Sequence, residues 1–235
     1  MAHSRKPAVL LLSSGLDSAA NLALGEFCDF DVKYAVTVNY GQKSASQEIA
    51  HARALALHFN IEHFVFDFQN FWQLTGRGSA LMSDAVMPNP SDLDAMSVIE
   101  KSAKAVWVPN RNAVLLSLAA AAAESREMSV VVVGFNAEEA VTFPDNTADF
   151  MNKMTEAFVF STSNQVEVRS ATVSFNKAQI VQRLAERNFP FELLWSCYQN
   201  GEKHCGKCES CSRLRRALES GLPRSKSAEV VGRMF

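Results

Sequence analysis

The sequence predicts an α/β fold with a five-stranded parallel sheet, and three observations carry that reading. Short apolar runs recur at 8–12, 32–39, 62–68, 129–134 and 166–173. Helical periodicity fills the stretches at 16–23, 45–59 and 111–124, and strands alternating with helices of this length imply βαβ units. The first run also passes straight into small residues, Ser13-Ser14-Gly15, and then into a helix.

Ala8 to Leu12 is apolar throughout, as a strand buried on both faces must be. The helical pattern Leu16, Ala19, Ala20, Leu22 and Ala23 follows. Val32 to Asn39 is the second strand, ended by Tyr40-Gly41-Gln42, and a helix runs from Ala45 to Phe59. Glu62 to Phe68 alternates and forms the third strand; its phenylalanines, with Phe71, are expected in the core. Gly76, Gly78, Pro88 and Pro90 break up residues 69–106, which are expected to be a long irregular insertion: a lid, an edge insertion or a dimer contact. Pro109-Asn110-Arg111-Asn112 opens a helix to Glu124 that is apolar on most faces and therefore buried. Runs 129–134 and 166–173 supply the last two strands, and 177–187 is an amphipathic helix. Residues 1–190 are expected to form an α/β domain and 191–235 a C-terminal segment packed on it.

Composition narrows the function. Hydrophobic residues at 48% and charged residues at 20% fit an ordinary globular core. A net charge of −2 argues against nucleic acid as the main partner. No apolar run approaches the roughly 20 residues needed to span a bilayer. Met1 to Pro7 carry no apolar signal region, so a cytoplasmic location is expected. Four of the five cysteines cluster near the end, which suggests a metal site rather than disulfides.

The turn Leu12-Ser13-Ser14-Gly15-Leu16-Asp17-Ser18 delivers the chain to a helix N-terminus, where free N–H groups and the helix dipole favour an anion. An ordinary crossover turn, with Asp17 as a helix cap, accounts for the same residues. A Walker loop and a G-x-G-x-x-G fingerprint are both absent from the turn. Three polar stretches stand at strand ends: 13–18, 39–43 (with Gly41 and Gln42) and 134–147. In open α/β sheets such ends share one crevice. Arg111 suits a carboxylate or phosphate; alternatively Asn110 caps the helix and Arg111 pairs with a surface acid. The loop with Asn136, Glu138, Glu139 and Asp145 can hold Mg²⁺ or accept hydrogen bonds from a purine-like edge, or it is a solvated acidic turn.

Cys197-x7-Cys205-x2-Cys208-x2-Cys211 is the strongest chemical signal. Thiolates at this spacing favour tetrahedral Zn²⁺. An iron–sulfur cluster is the competitor, although the C-x3-C-P of a ferredoxin run is missing. Cys28, after a helix, is expected to be a buried small hydrophobe.

The opening turn resembles the pyrophosphate loop of ATP pyrophosphatases, S-G-G-x-D-S, with Ser14 in place of the first glycine. Taken with Tyr40-Gly41-Gln42, Val108-Pro109-Asn110-Arg111-Asn112, Gly134-Phe135-Asn136, Phe143-Pro144-Asp145 and the cysteine pattern from Trp195, the chain resembles the 7-cyano-7-deazaguanine synthases over nearly its whole length. That resemblance implies an adenine-nucleotide hydrolase-like (Rossmann-like) fold and one structural Zn²⁺ on the four cysteines. It also implies an ATP-dependent ligase of queuosine biosynthesis that takes 7-carboxy-7-deazaguanine and ammonia through an acyl adenylate and an amide to the nitrile. Residues 12–18, Gly41 and Gln42 would hold ATP, with Asp17 near Mg²⁺ and Asp17, Ser18 and Arg111 in the chemistry. Asn110, Arg111, Asn136, Glu139 and Asp145 would meet the substrate. A homodimer without direct tRNA or membrane contact is expected. The chain departs from the family pattern at Ser14, at Lys43-Ser44 and at Asn146-Thr147, which follow Pro-Asp where many relatives have Cys-Arg. A related enzyme acting on another carboxylate or deazapurine, a tRNA-modifying adenylating thiolase and an ATP-binding sensor module are the alternatives.

Overall fold

A computed structural model of the chain describes residues 5–75, 78–89 and 92–235. Gly76 and Pro90, expected to act as chain breakers, and Met1 to Ser4 lie outside the described residues.

The chain runs β1 (Lys6–Leu11), α1 (Leu16–Leu24), β2 (Phe30–Asn39), α2 (Ala45–His58), β3 (Glu62–Asp67), α3 (Phe71–Thr75), α4 (Met96–Val106) and α5 (Arg111–Glu124). It continues through β4 (Val130–Val132), α6 (Ala137–Ala140), α7 (Ala148–Ser161), β5 (Glu167–Arg169), α8 (Lys177–Ala185), α9 (Glu209–Gly221) and α10 (Arg224–Met234). The five strands form one sheet in the order β3-β2-β1-β4-β5, and every pairing is parallel. The order reverses at β1, so the crevice beyond β1 and β4 is where a ligand is expected.

Side-chain alternation explains why β1 is apolar throughout. Ala8, Leu10 and Leu12 enter one core with residues of α1, α8 and α9. Val9 enters the other, with Tyr34, Val36, Val38 and Leu116. Phe71 is buried, and Phe66 and Phe68 pack against the second core; Phe64 is half-exposed.

Three sequence expectations are corrected. Residues 69–106 are not irregular throughout, because α4 occupies their last 11 residues. Met96, Ile99, Ala103 and Val106 stand at helical spacing, a signal obscured by the glycines and prolines before it. The fifth strand is only Glu167–Arg169, shorter than 166–173. Beyond it the hydroxyls of Ser170 and Thr172 both donate to the Phe135 carbonyl, at 3.3 and 2.7 Å, and turn the chain off the ladder. The helix α7 was not anticipated; Thr147 Oγ1 caps it by accepting from Phe150 N–H at 3.1 Å.

Candidate active site

The turn after β1 is held from three sides. Ser14 has φ +60° and is fully buried. Its hydroxyl donates to the Ser13 carbonyl at 2.6 Å, and its own carbonyl accepts from Trp195 N–H at 3.0 Å. Ser13 Oγ and Ser18 Oγ lie 3.1 Å apart. Gly15 is the N-cap of α1 and no side chain caps the helix, so Asp17 is not a cap. The end of β4 presses against this helix start. A Cβ on Gly134 would stand 2.3 Å from Ser18 N and 2.5 Å from Ser18 Cα, so only glycine permits the approach.

Charge gathers at one point. Lys177 Nζ sits 2.5 Å from Asp17 Oδ2 and 2.9 Å from Glu139 Oε1. Burial pushes the Asp17 carboxyl up to about 6 against the pull of Lys177, and Glu139 and Glu138 push the same way. Burial also opposes ionisation of Glu139, but Lys177 and further hydrogen bonds outweigh it and hold that carboxyl below its ordinary range. Lys177 is itself held above the usual lysine value: burial works against its charge, but the two carboxylates prevail. Asp17 Oδ1 is buried without a hydrogen-bond partner. Asn136 Oδ1 accepts from the N–H groups of Glu138 and Glu139, both at 3.0 Å, and so sets the start of α6.

Across the crevice, the partners described for Arg111 are neutral. It donates to Asn112 Oδ1 at 3.2 Å and to Tyr40 Oη at 3.3 Å. Asn112 Nδ2 in turn donates to the Asp145 carbonyl at 3.3 Å. Gln42 is a bracket, accepting from Tyr40 N–H at 3.0 Å and donating to Val38 O and Glu48 Oε2. Gly41 takes φ +94°, which a non-glycine residue rarely adopts. Asn110 takes φ +55° and makes no capping hydrogen bond.

Leu12, Ser13, Gly15, Leu16, Asp17, Ser18, Gln42, Arg111, Glu139 and Asp145 line one cavity of about 300 Å³. Ser14, Gly41, Asn110 and Asn136 are not on its wall; they shape the turns that carry the others.

The cysteines converge as their spacing predicts. Their four Sγ atoms lie within 4.8 Å of one another, an arrangement able to hold a metal ion. Cys205 and Cys211 sulfurs are 3.8 Å apart, close to the edge of a tetrahedron with metal–sulfur bonds of about 2.3 Å. Backbone N–H groups of Gln199 and Cys205 donate to Cys197 Sγ, and that of Cys208 to Cys205 Sγ, each at 3.4 Å. Such donors stabilise thiolate charge.

Comparison with known proteins decides the family. Residues 7–221 match the model of the queuosine biosynthesis protein QueC. The chain belongs to the QueC family. A 7-cyano-7-deazaguanine synthase of Methanosarcina barkeri is 42% identical over 230 residues, covering 96% of this chain and 99% of the relative. One of Desulforamulus reducens is 44% identical over 214 residues, covering 90% and 93%. Among solved structures, the U34-tRNA thiolase NcsA of Methanococcus maripaludis with its [4Fe-4S] cluster is 13% identical. It has a TM-score of 0.49 and covers 99% of this chain and 72% of its own.

Several lining residues of this QueC member escaped sequence reasoning: Glu48, Trp107, Lys177 and Tyr198. Lys177 carried a usable signal. It opens the helical stripe of Ile180, Val181 and Leu184, all buried, and a lysine on an apolar stripe demands a partner. Glu48 and Trp107 had none, since each looks like a surface residue in its own segment.

Proposed function

We propose that the chain is an ATP-dependent 7-cyano-7-deazaguanine synthase. The observation that carries this reading is that the pyrophosphate-type turn, Arg111 and the Asp17–Lys177–Glu139 cluster share one cavity in a member of the QueC family. The carboxylate of 7-carboxy-7-deazaguanine attacks the α-phosphate of ATP, and pyrophosphate leaves. Ammonia attacks the acyl carbon, AMP leaves, and the amide forms. A second adenylation, on the amide oxygen, lets that oxygen depart with AMP as nitrogen gives up its remaining protons, leaving the nitrile. This chemistry depends on positioning and neutralised charge.

The residues divide the work. Ser13, Gly15, Ser18 and the start of α1 hold phosphates. Arg111, whose hydrogen-bond partners among the described residues are neutral, meets the acyl carboxylate or the α-phosphate. Lys177 neutralises charge beside the turn. Asp17 Oδ1, the buried oxygen without a partner, suits Mg²⁺, which when bound offsets phosphate charge. Glu139 and Asp145 read the guanine-like edge. The four thiolates hold one structural zinc that fastens residues 191–235 to the α/β domain. The protein acts as a cytoplasmic homodimer on small molecules and does not bind tRNA directly. No helix of the described residues is long and apolar enough to cross a membrane. A thiolase would need a cysteine pair outside the metal cluster, and Cys28 alone is left.

Pyrophosphate release with ATP, ammonia and 7-carboxy-7-deazaguanine, followed by mass detection of the nitrile, tests the reaction. Product is expected, and none above background overturns the reading. Elemental analysis is expected to find zinc; iron with visible absorbance overturns that assignment.

A further inference from the structure

The cavity around the phosphate turn, at about 300 Å³, stands at the low end for a single small-molecule ligand. The proposed reaction brings two substrates together. A second cavity of about 530 Å³ adjoins the first, and Ala103, Trp107, Thr142 and Phe143 line both. The rings of Trp107 and Phe143 are within 4° of parallel, with centroids 6.3 Å apart, inside the range of aromatic pairs. Trp107 is 38% exposed, although it follows a buried residue of α4, Val106. Pro109 and Pro144 wall the second cavity beside the pair. Asp145, two residues after Phe143, lines the first cavity with Arg111.

We propose that Trp107 and Phe143 form a stacking platform for the planar heterocycle of the acceptor acid at the junction of the two cavities. Asp145 accepts hydrogen bonds from the N–H edge of the ring, and the acid group points toward Arg111 and the phosphate turn. Aromatic faces suit any flat heterocycle, and edge hydrogen bonds then select among them. A carboxylate with two acceptor oxygens matches the adjacent ring N–H and amino group of a guanine-like edge. ATP occupies the part of the first cavity beside the turn, and the heterocycle the part shared with the second, so the two ligands bind through separate residues. The identity of the heterocycle rests on the synthase reading; the existence of the platform does not.

The test is equilibrium binding by the full-length protein, without turnover, of 7-carboxy-7-deazaguanine and, separately, of a non-hydrolysable ATP analogue. Trp107→Ala and Phe143→Ala are each expected to weaken heterocycle binding by about tenfold to a hundredfold and to leave ATP-analogue binding unchanged. Trp107→Phe, which keeps a π-face, is expected to restore most of the affinity. The heterocycle is also expected to quench the emission that Trp107→Phe removes. Heterocycle affinity unchanged in both alanine variants overturns the platform, as does an equal loss of ATP-analogue binding or binding without quenching. A wild-type protein that binds the heterocycle at Trp107 yet releases no pyrophosphate refutes the synthase reading and leaves the platform standing. Normal nitrile formation with an unchanged KM for the acid in both alanine variants does the reverse.

Discussion

The backbone N–H of Trp195 donates to the carbonyl of Ser14 at 3.0 Å, tying the approach to the cysteine cluster to the pivot of the turn after β1. His204 adds a second tie. Its Nε2 accepts from Ser196 N–H at 3.0 Å, and its ring packs against Trp195 and Phe235 with centroids 4.6 and 5.1 Å away. The turn therefore depends on a segment anchored by Cys197. Cys208→Ser or Cys211→Ser is expected to lower the melting temperature. It is also expected to weaken binding of an ATP analogue by about tenfold, equivalent to 1.4 kcal/mol. Calorimetry on metal-depleted protein that retains full nucleotide affinity would contradict this coupling.

Gly134→Ala places a methyl group where Ser18 N and Cα already stand. Backbone atoms cannot swing aside as a flexible side chain can, so β4 and the start of α1 must separate. Overpacking of this kind costs about 1–3 kcal/mol, and the displaced turn is expected to lose its proposed fit to phosphate. The variant is expected to stay folded, with its urea midpoint lowered, and to lose most ATP-analogue binding. Wild-type affinity in a binding titration would show that the contact is relieved elsewhere.

Ser14 stands where the family pattern has glycine, and the structure gives its hydroxyl a local task. A non-glycine residue at φ +60° costs about 1–2 kcal/mol, and the Ser14 Oγ to Ser13 O hydrogen bond returns about 0.5–1.5 kcal/mol. Ser14→Gly removes both and is expected to change stability by less than about 1 kcal/mol. Ser14→Ala keeps the backbone cost and loses the bond, so it is expected to destabilise by about 1 kcal/mol. Because the hydroxyl is off the cavity wall, neither variant should alter the KM for ATP. A large KM change in steady-state kinetics would mean that the hydroxyl meets phosphate.

Asp17 is expected to make nucleotide binding sensitive to pH. Burial raises its folded value from 3.8 to about 6, so the native state retains a proton that the unfolded chain has released. Between those values this group's contribution to stability falls as pH rises. If Asp17 ligates Mg²⁺ as proposed, the ion needs the ionised carboxylate, so affinity for Mg·ATP is expected to fall as pH drops through about 6. Asp17→Asn should flatten that profile and lower affinity above it. A profile that still bends near 6 in the variant would assign the titration to another group.

Lys177→Met leaves Asp17 and Glu139 facing each other without the cation between them. Removing one partner of a buried ion pair costs about 3–5 kcal/mol, and proton uptake by the carboxylates offsets part of that cost. The variant is therefore expected to regain stability as pH is lowered toward 5, measured by denaturant midpoints. A midpoint that does not rise as pH is lowered would show that the carboxylates are not strained by the loss.

Local sequence determined much of this protein. The apolar run Ala8 to Leu12 could only be a strand covered on both faces, and the cysteine spacing brought four sulfurs within 4.8 Å. The polar strand ends met in one cavity because parallel order sends them to one edge of the sheet. These features depend on periodicity and short separations, which a chain displays directly. Tertiary structure alone decided that Lys177 would neutralise Asp17 across 160 residues and that Trp195 would hold Ser14. It also placed Trp107 against Phe143 at the junction of two cavities. Each of these pairs joins segments whose local patterns are complete without the other. Their meeting is set by how helices pack on the two faces of the sheet, and that packing is written in no single stretch of sequence.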